Sequence, residues 1–230
     1  MMIVDPYRFA GSSPVGCAYQ GFTDDTAGGV GTTRTVPGCP IGTAIVGRHV
    51  FAWLFWSNTA ATATLLSATI GGVAAVIHVQ KVFASIGTNA GFALISAPLA
   101  VGTTATFVLN YSDVAYPRIH TYRVTDLISN TAFASQSNGG SSSTQSLNAS
   151  CNTQAGGVVF FAMNAGWAPL TVTLTGSSQD FMSAYGPSSN LISGGFFLTA
   201  VAETPRAFNS TLTGAVVGAP NHANLVASFR

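Results

Sequence analysis

The chain has 230 residues, enough for one large domain or two small ones with a real core, and only 15 of them are charged, 8 basic and 7 acidic. A charged share of 7% against a usual share of about 25%, with a net charge of +1 and a mean hydropathy of +0.41, excludes an electrostatic nucleic-acid binder and describes a chain prone to associate. The longest apolar runs, 49–56 and 157–163, fall far short of the roughly 20 residues of a membrane-spanning helix, and several strand candidates lack the polar lumen face of a membrane barrel.

The opening MMIVDPYRFAGSSP has no basic stretch followed by an apolar one, so it reads as no secretory signal and the product as one folding in a reducing cytosol. Residues 1–40 are rich in Gly, Pro, Thr and Asp, with only short strand candidates such as VGCAYQGF. They read as an extended arm or irregular layer, followed by one sandwich domain over 41–230. In RHVFAWLFWSN, 48–58, one strand face carries Phe51, Trp53 and Phe55 and the other Val50, Ala52, Leu54 and Trp56, so neither face is a water face.

LLSATIGGVAAVIHVQ, 65–80, alternates on both arms around Gly71-Gly72, whose positive φ angles suit a tight hairpin turn, and places His78 on a polar face beside Gln80. TATFVLNY, 104–111, sets Ala105, Phe107, Leu109 and Tyr111 against Thr104, Thr106, Val108 and Asn110. TDLISNTAFAS is the one window with helical character, and its Ser, Asn and Thr disfavour it. The Ser/Asn/Gly stretch 135–157 reads as a long surface loop with at most one short strand over 144–147. GVVFFAMN and GGFFLTAVAE are again apolar on both faces, with Phe160 against Phe161 and Phe196 against Phe197, while LTVTLT alternates Leu170, Val172 and Leu174 with threonines. The sequence shows no internal repeat.

Many short strands with Gly/Pro/Asn punctuation and no βαβ alternation predict an all-β chain: an antiparallel two-sheet β-sandwich, jelly-roll or immunoglobulin-like, behind an extended, irregular N-terminal region. A sandwich core covers only one face of a strand. The other face of the three doubly apolar strands needs a loop, a layer formed by residues 1–40, or a second protein chain. The last reading makes Trp53, Trp56, Phe161 and Phe196 candidate subunit-interface residues.

Catalytic signatures are absent: no G-x-S-x-G, no H-E-x-x-H, no P-loop, no EF-hand. Asp113, Asp126, Asp180 and Glu203 leave a glycosidase pair open on arithmetic alone, but turn capping or pairing with arginine accounts for such acids. Asp24-Asp25 fits a turn as well as a calcium site. Cys17, Cys39 and Cys151 read as buried thiols, with a Cys17–Cys39 bridge or a metal site as alternatives. These readings predict no catalytic, cofactor or metal site. Trp167 and Tyr116 are the aromatics placed to stack on sugar rings, against the simpler role of packing at a sandwich rim.

The run from LLSATIGGVAAVIHVQ through APLAVGTTATFVLNYSDV to IHTYRVTDL resembles small β-sandwich proteins encoded among the structural genes of tailed bacteriophages and gene-transfer-agent-like prophages, and AGGVVFFAMNAGW is similar to the segment that follows in them. The resemblance is clear over 65–126 and looser across 45–175. It implies a non-enzymatic virion protein, made in the host cytoplasm, whose partners are copies of itself and other virion proteins. Within that class it implies a capsid decoration or vertex protein first and a tail or fibre component second. A carbohydrate-binding module for host polysaccharide is the rival from another class.

Overall fold

The computed structural model describes residues 14–25, 31–58, 62–85, 88–140, 146–166, 171–185, 190–213 and 221–230. Among them there is no helix; the chain is all-β, and every strand pairing is antiparallel. The strands of the first half are β1 (Gly16–Asp24), β2 (Thr33–Pro40), β3 (His49–Asn58), β4 (Leu65–Ile70), β5 (Val73–Ala74), β6 (Val76–Ser85), β7 (Thr88–Pro98), β8 (Thr104–Tyr111) and β9 (Tyr116–Thr125). Those of the second are β10 (Ala134–Gly140), β11 (Ser146–Cys151), β12 (Val158–Ala165), β13 (Thr171–Thr175), β14 (Phe181–Tyr185), β15 (Asn190–Leu198), β16 (Arg206–Thr213) and β17 (His222–Phe229).

Four sheets result. Sheet A has the order β1-β9-β3-β7-β6 and sheet B the order β2-β8-β4-β5; sheet C runs β10-β17-β12-β15-β14 and sheet D runs β11-β16-β13. Reading β10, β12, β14, β15 and β17 for β1, β3, β6, β7 and β9 turns sheet A into sheet C. Reading β11, β13 and β16 for β2, β4 and β8 turns sheet B, without its two-residue β5, into sheet D. The chain is therefore built twice on one plan, a repeat that the sequence does not display.

Three cores define the stacking. Val50, Ala52, Leu54 and Trp56 of β3 pack with Phe107, Leu109 and Ile70 between sheets A and B. Phe51, Trp53 and Phe55 pack with Phe160, Ala162, Leu225 and Phe229 between sheets A and C. Val159, Phe161 and Met163 of β12 pack with Val172, Phe208 and Leu212 between sheets C and D. The layers thus run B–A–C–D, and β3 and β12 lie in the two middle layers. A strand in a middle layer must be apolar on both faces.

Several expectations are corrected by this arrangement. The chain holds four sheets in layers rather than two. Residues 16–24 and 33–40 are no arm: β1 edges sheet A beside β9, and β2 edges sheet B beside β8. The polar stretch after residue 134 is two strands, β10 on β17 and β11 on β16, bridged where Asn138 Nδ2 donates to Asn148 O at 2.7 Å and Ser150 N to Gln136 Oε1 at 2.6 Å. Small polar residues there form exposed edges, which protects a sheet from adventitious pairing. The Gly71-Gly72 turn forms as expected, at φ of 59° and 82°, and the chain crosses from sheet B to sheet A at Ala75.

Candidate functional site

The interface candidates are interior. Trp53 is 0% exposed, Trp56 1% and Phe161 0%, all within one chain. Trp56 Nε1 donates to Ala63 O at 2.8 Å, and its indole lies over Gly91, the only residue type that leaves room for it. Phe196 is half-buried, its ring edge-on to Tyr122 at 6.0 Å. Each is covered by another sheet of the same chain: Trp53 by sheet C, Trp56 by sheet B, Phe161 by sheet D and Phe196 by sheet A. Tyr116 is half-buried, with the Arg34 guanidinium carbon 5.9 Å from its ring centroid. Trp167 lies outside the described residues.

Titratable groups gather at the seam between sheets A and C. His120 is 1% exposed; its Nδ1 meets Tyr19 Oη at 2.8 Å and its ring stacks on Phe181 at 3.7 Å. Burial, with Arg118 beside it, pushes its pKa down to about 3. Burial pushes the Tyr19 hydroxyl up to about 12 and raises the Cys17 thiol, the Tyr122 hydroxyl and the Asp180 carboxyl, with Asp180 adding to the first three. The Tyr122 hydroxyl and the Asp180 carboxyl face each other in this seam. A thiol and two phenols held neutral are poor nucleophiles and poor bases at neutral pH.

His78 is not on a polar face. Opposite Ile77, which packs between sheets A and B, the imidazole faces the seam, against Phe51 at 5.6 Å and Phe229 at 4.7 Å, and the register slip between Ile77 and Val79 brings Val79 to the same side. Its Nε2 meets Ser96 Oγ at 2.8 Å, and burial lowers its pKa to about 4. The ring also lines a cleft of about 320 Å³ with Asn130, Thr131 and Ser135, but Ser96 is 0% exposed and out of reach of any substrate.

Five of the acidic residues have local tasks. Arg118 Nη2 donates to Asp24 Oδ2 at 2.6 Å, Arg34 Nε to Asp25 Oδ2 at 2.8 Å, and Arg206 Nη1 to Glu203 Oε1 at 2.5 Å. Asp113 caps its own loop at Val114 N, and Asp180 accepts from Ser178 Oγ at 2.8 Å. Among the described residues no three His, Cys, Asp or Glu side chains converge as metal ligands. Cys17, Cys39 and Cys151 are free and divide among the three cores.

What stands out on the surface is one apolar end. β3 starts where β7 and β9 finish, and β12 starts where β15 and β17 finish. Val15 N donates to Gly156 O at 3.0 Å and Ser129 N to Arg230 O at 2.7 Å, which places both sets of loops at the same end. Exposed there are Ile45, Val46, Val101, Ile128 and Val201, with Val46 at 92% and Val101 at 72%. Arg48, 1% exposed, fixes this end. Its guanidinium donates to the carbonyls of Gly42, Thr43, Leu99, Val101 and Gly102 at 2.5–3.0 Å, with Ile41 O at 3.4 Å, tying the loop that carries Ile45 and Val46 to the one that carries Val101. Sequence reading missed Arg48 because an arginine beside a strand start carries no signal of its six carbonyl partners.

Comparison with protein-family models, with characterised proteins and with solved structures returns no match. Among the described residues no helix is long and apolar enough to cross a membrane.

Proposed function

We propose that the chain is a tandem pair of jelly rolls and a non-enzymatic structural protein of a tailed-phage particle, attached as a capsid decoration or vertex component. The jelly-roll reading rests on strand order: counting β5 and β6 as one strand, each half runs 1-8-3-6-5 in one sheet and 2-7-4 in the other. The observation that carries the assembly reading is the apolar end held rigid by Arg48. A preordered apolar patch loses little entropy on docking, and it forms the desolvated centre that protein interfaces need. The low charge and the resemblance over 65–126 support a virion lattice as the partner, and a tail position is the second assignment within the same reading.

The test is incorporation. Val46→Asp and Val101→Asp alter only exposed side chains, so the free chain keeps its melting temperature while its retention on purified particles falls at least tenfold. Undiminished retention of both variants removes the apolar end from assembly.

A further inference from the structure

The two outer surfaces of the stack are the solvent faces of sheets B and D; neither is charged, and apart from Leu66, 62% exposed on β4, and half-buried Val108 on β8, both are polar. On sheet D, Thr171, Thr173 and Thr175 point outward from β13, with Thr211 and Asn209 opposite the last two on β16 and Asn148 beyond Asn209 on β11. On sheet B the outward rows are Thr33–Asn110–Ser67 and Thr35–Val108–Thr69. No Lys, Arg, Asp or Glu among the described residues lies on either outward face.

The middle strand of each outer sheet carries a hydrogen-bonded asparagine: Asn110 links β8 to both neighbouring strands, and Asn209 links β16 to β11 and to its own Thr211. Thr33 Oγ1 donates to Asn110 Oδ1 at 2.8 Å, and Asn110 Nδ2 to Ser67 Oγ at 2.9 Å. Asn209 Nδ2 donates to Asn148 Oδ1 at 2.5 Å and Ser146 Oγ at 2.9 Å, and Thr211 Oγ1 donates to Asn209 Oδ1 at 2.9 Å. Strand propensity accounts for threonine but opposes asparagine. A strand-linking asparagine thus recurs in both outer sheets, in halves with no shared sequence repeat, and propensity does not account for it.

We propose that these two faces bind a neutral polysaccharide. The absence of ionic groups selects an uncharged ligand, since an anionic or cationic polymer finds no counter-charge. Donors and acceptors repeat about 4.8 Å apart across strands and about 6.7 Å along them, a flat two-dimensional array that suits an extended, repeating chain of hydroxyls rather than a small molecule in a pocket. Threonine offers a methyl beside each hydroxyl, matching the mixed C–H and O–H surface of a sugar ring. The array is fixed on paired strands, so little order is lost on binding. Two such faces, about 30 Å apart across three layer spacings, let weak contacts sum by avidity. This goes beyond the assembly reading and is measured on the free chain, so its failure leaves particle attachment untouched.

The experiment is native electrophoresis of the full chain through gels containing dextran, mixed-linkage β-glucan or galactomannan, with alginate as the anionic control. The expected result is retardation by at least one neutral polymer and none by alginate. Thr171→Lys with Thr173→Lys on sheet D, or Thr35→Lys with Thr106→Lys on sheet B, should weaken it at least tenfold, and all four together should abolish it, with melting temperatures unchanged. The proposal is overturned by no retardation in any neutral polymer, by equal retardation of the face variants, or by retardation in alginate alone. Inhibition of ice growth lost in the same variants, without glycan retardation, also overturns it and names ordered water as the partner.

Discussion

Phe51 of β3 stacks on Phe160 of β12, ring centroids 4.9 Å apart and planes inclined by 16°. The pair joins the two inner sheets of a molecule that repeats its strand order, and Phe229 closes on Phe51 edge-on at 4.8 Å. This contact is what covers the second face of β3.

A double-mutant cycle at Phe51 and Phe160 measures that bond between halves. Each single change to Leu should destabilise the chain by roughly 1–3 kcal/mol as shape and volume are lost. The coupling should be about 0.5–1.5 kcal/mol, as for aromatic pairs generally. Urea denaturation supplies both numbers, and a coupling near zero would mean the two rings pack independently.

Trp53 and Trp56 point to opposite faces of β3 but into two cores of one chain. Trp53→Ala and Trp56→Ala should therefore each cost about 3–5 kcal/mol, and neither should weaken assembly while leaving the monomer intact. Gly91→Ala presses a methyl into the Trp56 indole and should destabilise by about 1–3 kcal/mol. A folded, full-strength monomer from either tryptophan variant would return that face to an intermolecular contact.

Arg48 should tolerate no replacement. Arg48→Met leaves a ring of buried carbonyls without donors and should cost at least about 3 kcal/mol. Arg48→Lys should rescue little of it, since three donors on a point charge cannot serve a planar fork of carbonyls. Thermal melts of the two variants check this, and a lysine variant with the parent melting temperature contradicts it.

Strand content was legible because periodicity reports which faces are buried: β8 shows the alternation of Ala105, Phe107, Leu109 and Tyr111 read from its residues. Periodicity does not report what does the burying. Phe51 and Trp56 announce a doubly covered strand but not whether the cover is a loop, another subunit or a second half of the chain. The duplication stayed hidden because HVFAWLFWSN and VVFFAMNA share a position in the plan and little else. β10 was missed, and β11 was read only as a short strand over 144–147, because edge strands are polar for the same reason loops are, contact with water. His78 lies opposite Ile77 as the alternation predicts, but sheet C covers that face, and the bulge after Ile77 reverses the faces of Val79 and the residues beyond it.

The last expectation is acid sensitivity with a definite source. His78 and His120 have folded pKa values depressed to about 4 and about 3, chiefly by burial, against about 6.5 in an unfolded chain. Below pH 6.5 the unfolded chain takes up protons that the folded one refuses. Stability is therefore fully present above that pH and falls as the pH drops toward 4, by up to about 1.4 kcal/mol per pH unit for each ring. Asp180 acts with the opposite sign. Its carboxyl is raised by burial, so the stability linked to it is present below the ordinary carboxylate range and is lost as the pH rises through its folded pKa. The melting temperature should fall between pH 6.5 and 4.5, before most carboxylates titrate. His78→Gln and His120→Gln should each flatten that slope whatever they do to stability at pH 7, and Asp180→Asn should leave it unflattened. An unchanged slope in both glutamine variants would place the acid-sensitive protons outside the seam. Loss of the slope in Asp180→Asn alone would mean that its carboxyl is lowered rather than raised in the folded chain.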